Sequence, residues 1–476
     1  MTEVRTACAY GRVSSIDGGQ NRLRLRAGFF FATLNPPVGA GGSDLHRLID
    51  LKLTFMNQSD NESISNSNRF KIETSTLRAY TMLLALVLIW IFFHLATGCK
   101  DTKTWSEWFG CAFSFGWIRE GVFLSPRNLS NLMTQTAVTG VIAVGMLMVI
   151  VAGQIDLSVG SVLGLAGGIA ACQIACDTST LAQIFSNQNS RLVPALFAAI
   201  LICVLIGLIN GVLVAYGKIP AFIVTLGGLL AWRGAIKGYS QGETIPVALE
   251  SFKSIGQKYL DKNVGWVIAI VAILAVVALT INAAKKRQSY GLGAENPLTL
   301  GLRILIPSVS IVAFVFVMNS YAGIPNAVLI LIIVALIGTF LTQQTTFGRY
   351  LYAIGGNPDA ARLSGISIQK HILLVYALLG ALTGVAAIIY TARQGSASPD
   401  AGVLSELDAI AACVIGGASL MGGRGTVIGA CVGALIMASL DNGMSLLNVG
   451  DYKQDIVKGS ILVAAVGLDM VGRRQC

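Results

Sequence analysis

Seven polar residues of this chain are placed where they could recognise a polar solute, because each interrupts or borders a long apolar run. They are Gln154, Asp156, Ser158, Glu406, Asp408, Asp441 and Asn442. Polar groups at membrane depth are costly when they have no partner, so they usually pair or bind a ligand. We therefore predict that these residues line a path through a membrane. The alternatives are a surface turn at residues 153–160 and acidic residues that simply lie at the membrane interface.

A second polar stretch, from Phe347 to Gly365, contains the signals of a very short helix. Asn357 is placed to cap its start, Pro358 suits the first helical position, and Gly365 suits the turn past its end. A helix of fewer than two turns is not stable alone, so we expect the apolar runs on either side to anchor it at the membrane surface. Such a helix is suited to receive a push from a soluble partner. The alternative is an ordinary loop between two helices.

The same stretch is basic, which predicts that it lies on the cytoplasmic side. It contains Arg349 and Arg362, Lys370 follows it, and positive residues are enriched in cytoplasmic loops. Arg362 lies one helical turn beyond Asp359 and can pair with it or with a carboxylate of the partner. The residues that we predict for this contact are Arg349, Tyr352, Gly355, Gly356, Asn357, Asp359, Arg362 and Gly365.

The composition is that of an integral membrane protein. Hydrophobic residues make up 54% of the chain and charged residues 12%, and the mean hydropathy is +0.69. Lipid excludes open sheet edges, so we predict an all-α polytopic transmembrane helical bundle of about 12 spans. The third and tenth spans are short, and either is a candidate for a re-entrant segment. The predicted spans are 79–97, 134–152, 160–175, 192–216, 219–236, 264–283, 303–319, 323–342, 371–391, 405–419, 425–445 and 456–472.

Residues 1–75 differ from the transmembrane domain that we assign to residues 76–476. They are rich in Gly, Ser, Asn and Arg and lack the apolar core of a signal peptide, so we predict a disordered polar tail. Met56 is an alternative start, because a short polar leader runs from it into the first span. The net charge of +10 lies partly in this tail and otherwise fits loops at an anionic membrane face, not a nucleic-acid partner. The cluster Lys285–Arg287 predicts a cytoplasmic connection.

Several chemistries are missing from the sequence. The closest approach to an ATP-binding glycine loop, Gly417 to Arg424, lacks the required Lys-Ser/Thr pair, so any ATP must be hydrolysed by another subunit. The nine cysteines have no metal-site spacing, and the three histidines are scattered. We therefore predict no enzyme activity, no cofactor and no metal site. Cys99 and Cys111 share one predicted external loop and are candidates for a disulfide.

Two glycine series recur at intervals of four residues. Small residues at this spacing let helices approach closely in lipid, so we predict two close helix contacts. A duplicated architecture and convergence on one packing solution both stay open as explanations. The series are Gly160, Gly164 and Gly168, and Gly425, Gly429 and Gly433.

Five motifs follow one another between Leu124 and Asp469. They are Ile155–Ser161, Phe222–Leu226, Tyr352–Asn357 with Ala361–Ile366, Glu406–Ala412 and Asp441–Met444. Together they resemble the permease subunits of bacterial monosaccharide ABC importers, and among these most closely the xylose type. The ribose type has a core of about ten spans. The additional apolar pair at 264–283 and 303–319 is similar to that of the xylose type.

The resemblance implies an importer with two permease copies, two cytoplasmic ABC ATPase subunits and a periplasmic sugar-binding protein. It also implies the bacterial inner membrane, cytoplasmic termini, and a coupling loop to the ATPase between Phe347 and Gly365. The implied function is ATP-driven import of a monosaccharide, with D-xylose as the expected sugar. Two alternatives stay open. One is an ion-coupled secondary sugar carrier, for which Asp156 and Asp441 are the candidate carboxylates, and the other is an ABC permease for another pentose or hexose such as ribose.

Overall fold

The apolar runs of the chain form helices in the computed structural model, which describes residues 74–99, 120–291 and 297–474. The first are α1 (Thr74–Gly98), α2 (Pro126–Val151), α3 (Val159–Ala175), α4 (Thr180–Ile184), α5 (Gln188–Ala215), α6 (Ala221–Tyr239), α7 (Glu250–Gln257) and α8 (Lys262–Ser289). They continue as α9 (Pro297–Asn319), α10 (Asn326–Gln343), α11 (Thr346–Gly356), α12 (Pro358–Leu363), α13 (Ile368–Gln394), α14 (Ser405–Ile415), α15 (Val427–Leu446) and α16 (Asp451–Arg474). Two short strands, β1 (Ile245–Pro246) and β2 (Ser396–Ala397), pair antiparallel. The predicted all-α membrane bundle is confirmed.

Within the described residues, nine helices are long and apolar enough to cross a membrane. Nine of the twelve predicted spans coincide with them. The other three predicted spans, 219–236, 405–419 and 456–472, coincide with α6, α14 and α16, which fall outside this group. The nine candidate spans are Thr81–Gly98, Pro126–Val151, Val159–Ile184 (α3 together with α4), Gln188–Ala215, Lys262–Ser289, Pro297–Asn319, Asn326–Gln343, Ile368–Gln394 and Val427–Leu446.

The three helices outside this group differ from it for two reasons. Helix α14 has 11 residues, so it is about 16 Å long and cannot cross a hydrocarbon core of about 30 Å alone. Helices α6 and α16 have 19 and 24 residues but carry charges within their length. These include Arg233 and Lys237 on α6, and Asp455 and Lys458 on α16. Of the two short predicted spans, the tenth is therefore the 11-residue α14, whereas the third is the 17-residue α3.

Helix α2 lies at the centre of the bundle. Of the 18-residue apolar stretch that makes it a candidate span, 89% is buried. It packs against α13, α15, α10 and α14, with Ile142 and Met146 among its fully buried side chains. A helix that is apolar on all sides suits such complete burial. Ser125 caps its start by accepting a hydrogen bond from the Asn128 amide, and Pro126 takes the first helical position.

Helices α5 and α13 pack together through glycines placed on both of them. Gly207 on α5 lies against the backbone of Tyr376 on α13, and Gly380 on α13 lies against the backbone of Cys203 on α5. A side chain at either glycine would overlap the opposite backbone. Because lipid supplies no hydrophobic drive between helices, this close approach is the main source of their attraction.

Both predicted glycine series make close contacts, and both contact the same short helix. Gly160 on α3 lies against Gly402, just before α14 begins, and Gly433 on α15 lies against Ala412 within α14. Helix α14 thus has both neighbours close by. Gly160 of α3 lies against the Gly402 backbone before it and the Glu406 side chain within it, and Gly433 of α15 lies against the backbone of α14 itself. The two series share one packing partner, which gives a physical reason for their similarity.

The helix pair α8 and α9 is an appendage to this bundle. Only 11% of the 18-residue apolar stretch of α8 and 6% of that of α9 are buried. The two helices pack mainly on each other, so most of their surface is not covered by the rest of the bundle. Ala269 on α8 and Met318 on α9 are buried in a cluster with Leu132 of α2 and Val328 of α10. The additional pair predicted from the sequence is therefore attached to the outside of the core.

The two ends of the bundle carry different connections. Helices α11 and α12 lie at one end, which we call the α12 end. At the other, which we call the α7 end, α7 packs across α13, with Gly256 against the backbone at Ala392 and Arg393. The β1–β2 pair lies at the same end, because it joins the connections that follow α6 and α13.

Some predictions fall on residues outside the described ranges and stay predictions. These residues include positions 1–73 of the predicted tail, with Met56. The last two tail residues, 74 and 75, begin α1. Cys99 is buried at the end of α1, whereas Cys111, its predicted partner, lies outside the described residues.

The α5–α13 contact generates a stability prediction. We expect Gly380→Val to lower the free energy of unfolding by about 1–3 kcal/mol or more, because the new side chain meets the Cys203 backbone, which cannot move aside. Thermal unfolding of the purified protein in detergent measures the effect. Gly301→Val on α9 is the matched control, since no atom lies within 4 Å of its added Cβ. Equal stability of the two variants would contradict the packing argument.

Candidate functional site

The predicted short helix is present as α12. The Asn357 side chain caps its start by accepting a hydrogen bond from the Ala360 amide, with 3.0 Å between Oδ1 and N. Pro358 takes the first helical position. Gly365 follows the helix with a φ of 82°, a left-handed conformation that a side chain would strain. Both ends of the helix are therefore fixed by the residues that predicted them.

Helices α11 and α12 are anchored on one face and exposed on the other. Leu351 and Ile354 of α11 and Ala361 of α12 are buried against the bundle. On the outer face Leu363 is 90% exposed. Arg362 is exposed too, and within the described part of the chain it makes no ion pair. An anchored pair of helices with an exposed apolar and basic face suits contact with a soluble protein.

Behind α11, three chain segments meet through glycine backbone. The Gly423 amide donates a hydrogen bond to the Val151 carbonyl oxygen at the end of α2, at 2.9 Å. A Cβ on Gly355 would overlap that same oxygen, and one on Gly422 would meet the backbone of Gly153 and Gly355. We call this contact the glycine junction, and it consists of Gly153 after α2, Gly355 and Gly356 at the end of α11, and Gly422 and Gly423 between α14 and α15.

The glycine junction needs glycine for conformation as well as for space. Gly153, Gly422 and Gly423 have φ values of 77°, 87° and 73°, which side chains rarely allow. Gly356 differs from Gly355, because no atom lies within 4 Å of the position its Cβ would take. No side chain lies between these segments, so α11 is in direct backbone contact with the end of α2 and with the connection before α15.

Tyr352 adds a side-chain link beside the glycine junction. Its phenol Oη donates a hydrogen bond of 2.8 Å to the carbonyl oxygen of Gly425. Burial raises the pKa of Tyr352 above its ordinary value, so the phenol stays protonated and remains a donor. The bond ties α11 to the residue pair that precedes α15.

The polar break between α2 and α3 forms a closed hydrogen-bonded turn. Asp156 is buried, and its Oδ1 accepts from the backbone amide of Ser158 at 2.7 Å and from its hydroxyl at 2.6 Å. The Asn210 side chain on α5 donates to the Ser158 Oγ at 3.1 Å. Burial raises the pKa of Asp156, while the hydrogen bonds from Ser158 lower it. Gln154, half-buried, donates its backbone amide to Val149.

The cavity beside this turn is too small for a solute. It is lined by Asp156 and Ser158 together with residues of α5 and α13, including Asn210 and Tyr376, and its volume is about 10 Å³. A cavity of that size holds at most about one water molecule. Asp156 and Ser158 are therefore satisfied by their own neighbours.

Glu406, in the first turn of α14, lies in a different place. It is buried beside Gly160 of α3, and its Oε2 has no hydrogen-bond partner within the described chain. The nearby Arg233 of α6 attracts the carboxylate. Arg233 also donates from Nη1 to the carbonyl oxygens of Pro399 at 2.9 Å and Ala401 at 2.7 Å. Arg233 thus holds the chain that enters α14.

Asp408 and Asp441 meet at a lysine. The Nζ of Lys458 on α16 lies 3.3 Å from Oδ2 of Asp408 on α14 and 3.0 Å from Oδ2 of Asp441 on α15. Asn442 lies elsewhere, where its Oδ1 accepts a hydrogen bond of 2.8 Å from the side chain of Asn128 at the start of α2. Although Asn442 follows Asp441 directly in the chain, its side chain therefore belongs to a separate contact.

The seven predicted path residues occupy four places in the structure. The α2–α3 turn and the Asn442 contact are satisfied internally, whereas Glu406 and the Lys458 cluster retain unsatisfied carboxylate oxygens. Sequence reasoning missed Arg233 and Lys458, the two cations that organise these places. A signal was available, because both interrupt apolar runs that were assigned as spans.

Comparisons with known proteins agree on one kind of protein. The profile of the family described as branched-chain amino acid transport system / permease component matches residues 128–466. The chain is 40% identical over 404 residues to the xylose transport system permease protein XylH of Escherichia coli K12, covering 85% of this chain and 94% of that protein.

Two further relatives extend this comparison. The chain is 41% identical over 406 residues to XylH of Haemophilus influenzae, covering 85% of this chain and 100% of the relative. It is 36% identical over 347 residues to the ribose import permease protein RbsC of E. coli K12, covering 73% and 87% respectively. No solved structure is significantly similar to the chain.

The α2–α3 turn generates a prediction that separates structure from solute binding. Asp156→Ala leaves the buried Ser158 amide without its acceptor, so we expect the free energy of unfolding to fall by about 1–3 kcal/mol. Asp156→Asn keeps an acceptor oxygen in place and should cost much less. Thermal unfolding of the purified variants compares the two. An equal loss in both variants would mean that the negative charge of Asp156, not its hydrogen bonds with Ser158, stabilises the turn.

Proposed function

Because the chain belongs to the family described as branched-chain amino acid transport system / permease component, we propose that it is the permease subunit of an ATP-driven sugar importer. Its sugar is a monosaccharide, with D-xylose as the proposed substrate. The relatives at 40% and 41% identity are named as xylose permeases, and the ribose relative is at 36%. The match covers 94% and 100% of the two xylose relatives and 87% of the ribose relative.

The observation that carries the ATP-driven function is the surface of α11 and α12 together with the glycine junction. The exposed face suits contact with an ATPase subunit. The buried face rests on the backbone contacts of the glycine junction, where no flexible side chain would absorb a displacement. The seven residues between Tyr352 and Gly365 that the sequence predicts for the ATPase contact lie on α11 and α12 or directly beside them. ATP hydrolysis by the partner would thus move the end of α2 and the connection between α14 and α15.

The distribution of charge supports a cytoplasmic location for the α12 end. Positive residues are enriched on the cytoplasmic side of membranes. In the connections between helices at the α12 end, Asp359 is the exposed carboxylate among the described residues. The exposed cations at this end are Lys218, Lys285, Lys286, Arg287, Arg349, Arg362, Lys370 and Arg424.

The directions of the first and last helices support cytoplasmic termini in the bacterial inner membrane. Phe93 near the end of α1 packs against Gly443 near the end of α15, so α1 and α15 run in the same direction. Helix α1 therefore begins at the α12 end. Helix α16 follows α15 and runs back to the same end.

The α7 end would then face the periplasm and the sugar-binding protein. Helix α7 lies across this end with Phe252 buried beneath it, and Glu250, Ser251 and Gln257 lie on its exposed side. A second permease copy would pack against the faces of α6 and α16 that the single chain leaves exposed. Gly234 on α6 and Gly459 on α16 are exposed there, with no atom within 4 Å of an added Cβ.

The proposed function predicts how transport is energised. In vesicles that contain the chain, its ATPase partner and a sugar-binding protein, we expect D-xylose uptake to require ATP and to persist after ion gradients are collapsed. Radiolabelled sugar uptake with and without a protonophore measures this. Uptake that follows the ion gradient without ATP would identify a secondary carrier instead. Faster uptake of ribose than of xylose would reassign the sugar and leave the mechanism unchanged.

The glycine junction predicts a difference between two adjacent residues. Gly355→Ala should force α11 away from Val151, so we expect sugar uptake to fall about tenfold. A tenfold change corresponds to about 1.4 kcal/mol, which lies within the roughly 1–3 kcal/mol that overpacking typically costs. The ATPase should remain bound and active. Gly356→Ala is the matched control and should transport normally, because its Cβ meets no atom within 4 Å. Equal uptake by the two variants, measured beside ATP hydrolysis, would remove the glycine junction from the coupling mechanism.

A further inference from the structure

A lysine that bridges two aspartates beside a cavity is the feature of the chain that the coupling mechanism does not use. Lys458, Asp408 and Asp441 come from three different helices, α16, α14 and α15. Their side chains are 20%, 15% and 31% exposed, so water reaches them only in part. Ion pairs that lose water gain little net stability from the pairing. The cluster therefore needs an explanation beyond stability.

The cavity next to this cluster has the size and lining of a small-ligand site. Its volume is about 260 Å³, against about 10–15 Å³ for one water measured in the same way. Leu404 and Leu407 from the start of α14, Met437 from α15 and Leu462 from α16 give it apolar walls. Its polar wall is formed by Asp408, Asp455 and Lys458. Mostly apolar walls with a few convergent polar groups are typical of small-molecule sites.

The hydrogen-bonding capacity of the cluster is not used up by the ion pairs. An ammonium has three donors, and Lys458 spends two of them on Asp408 and Asp441. Asp441 Oδ1 is buried and has no partner within the described chain. In the cavity wall, the remaining donor of Lys458 lies beside the acceptor carboxylates of Asp408 and Asp455, which matches the paired donor and acceptor character of a hydroxyl group.

The charges disfavour an anionic solute. Lys458 pairs with Asp408 and Asp441, and the Asp455 carboxylate lies in the same cavity wall, so negative charge is in excess and an anion is repelled. A neutral solute does not have to displace Lys458 from its position between the two aspartates. A polyhydroxylated neutral molecule can exchange hydrogen bonds with both signs of charge and place its C–H face on the leucine walls.

We propose that the cavity between α14, α15 and α16 is a monosaccharide subsite of the permease, in which Lys458 and Asp408 contact the sugar hydroxyls. This inference rests on the proposed function as a sugar permease. The sugar competes with an existing ion pair for the same groups, so the subsite binds weakly. Weak binding suits a permease, since a solute that is held tightly is released slowly.

The test compares the full-length chain in lipid nanodiscs with three variants, using D-xylose itself as the probe. Saturation-transfer-difference NMR measures sugar binding, and thermal unfolding measures stability. We expect Lys458→Met to weaken binding about tenfold, as expected for loss of one charge-assisted hydrogen bond. Lys453→Met, an exposed lysine five residues earlier on the same helix, is the matched control and should bind like the parent.

A neutral triple variant separates a sugar site from a structural clamp. Lys458→Met combined with Asp408→Asn and Asp441→Asn removes all three charges, so it should be more stable than Lys458→Met alone, which leaves two aspartates unpaired. Under our proposal its sugar binding stays about tenfold weaker although its stability returns. Binding restored together with stability would overturn the subsite and leave a clamp between helices.

Two further outcomes keep the inference distinct from the proposed function. Parental binding by Lys458→Met, or no D-xylose signal from the parent at saturating sugar, overturns the subsite. If the complete importer containing the triple variant still takes up xylose with ATP at the parental rate, the subsite is wrong and the importer function stands. If the parental importer takes up no monosaccharide, the proposed function itself fails.

Discussion

The structure depends on backbone packing directly on backbone. Inside a membrane the hydrophobic effect does not drive helices together, so close packing and hydrogen bonds must hold them. Glycine permits the closest approach, and it is used at the α5–α13 contact, on both sides of α14 and at the glycine junction. Helix α14 is the clearest case: although it is too short to span, its backbone polar groups are tolerated at depth because protein surrounds them.

Buried polar side chains follow a related rule. Most of them are satisfied by neighbours, as in the Asp156–Ser158–Asn210 turn and the Asn128–Asn442 pair. These contacts fasten the helices and leave no room for a solute. Two carboxylates near α14 differ. Glu406 on α14 and Asp441 on α15, which shares Lys458 with Asp408, each keep an unsatisfied carboxylate oxygen. Unsatisfied carboxylate oxygens at depth are costly, which makes them candidates for ligand contacts.

The sequence was sufficient for the helical class, for most spans and for the ends of α12, because these depend on local signals. Asn357, Pro358 and Gly365 each act within a few residues of their own position. The site was harder to predict, because its pairings join residues far apart in the chain. Asp408 meets Lys458 from another helix, and no local pattern specifies that contact. The glycine junction was out of reach for the same reason, although two of its glycines, Gly355 and Gly356, were singled out as part of a coupling loop.

The positions of these features suggest how force could reach the solute. The glycine junction connects α11 with the chain segment between α14 and α15, and Gly416 at the end of α14 packs against the backbone of Gly429 on α15. Under the proposed coupling function, a push on α12 would pass through these backbone contacts to the end of α14. The polar residues Glu406 and Asp408 lie at the start of the same helix, only about 16 Å away along its axis. A short, rigid helix displaced at one end must move at the other, so we infer that α14 is the element whose movement changes the environment of the sugar.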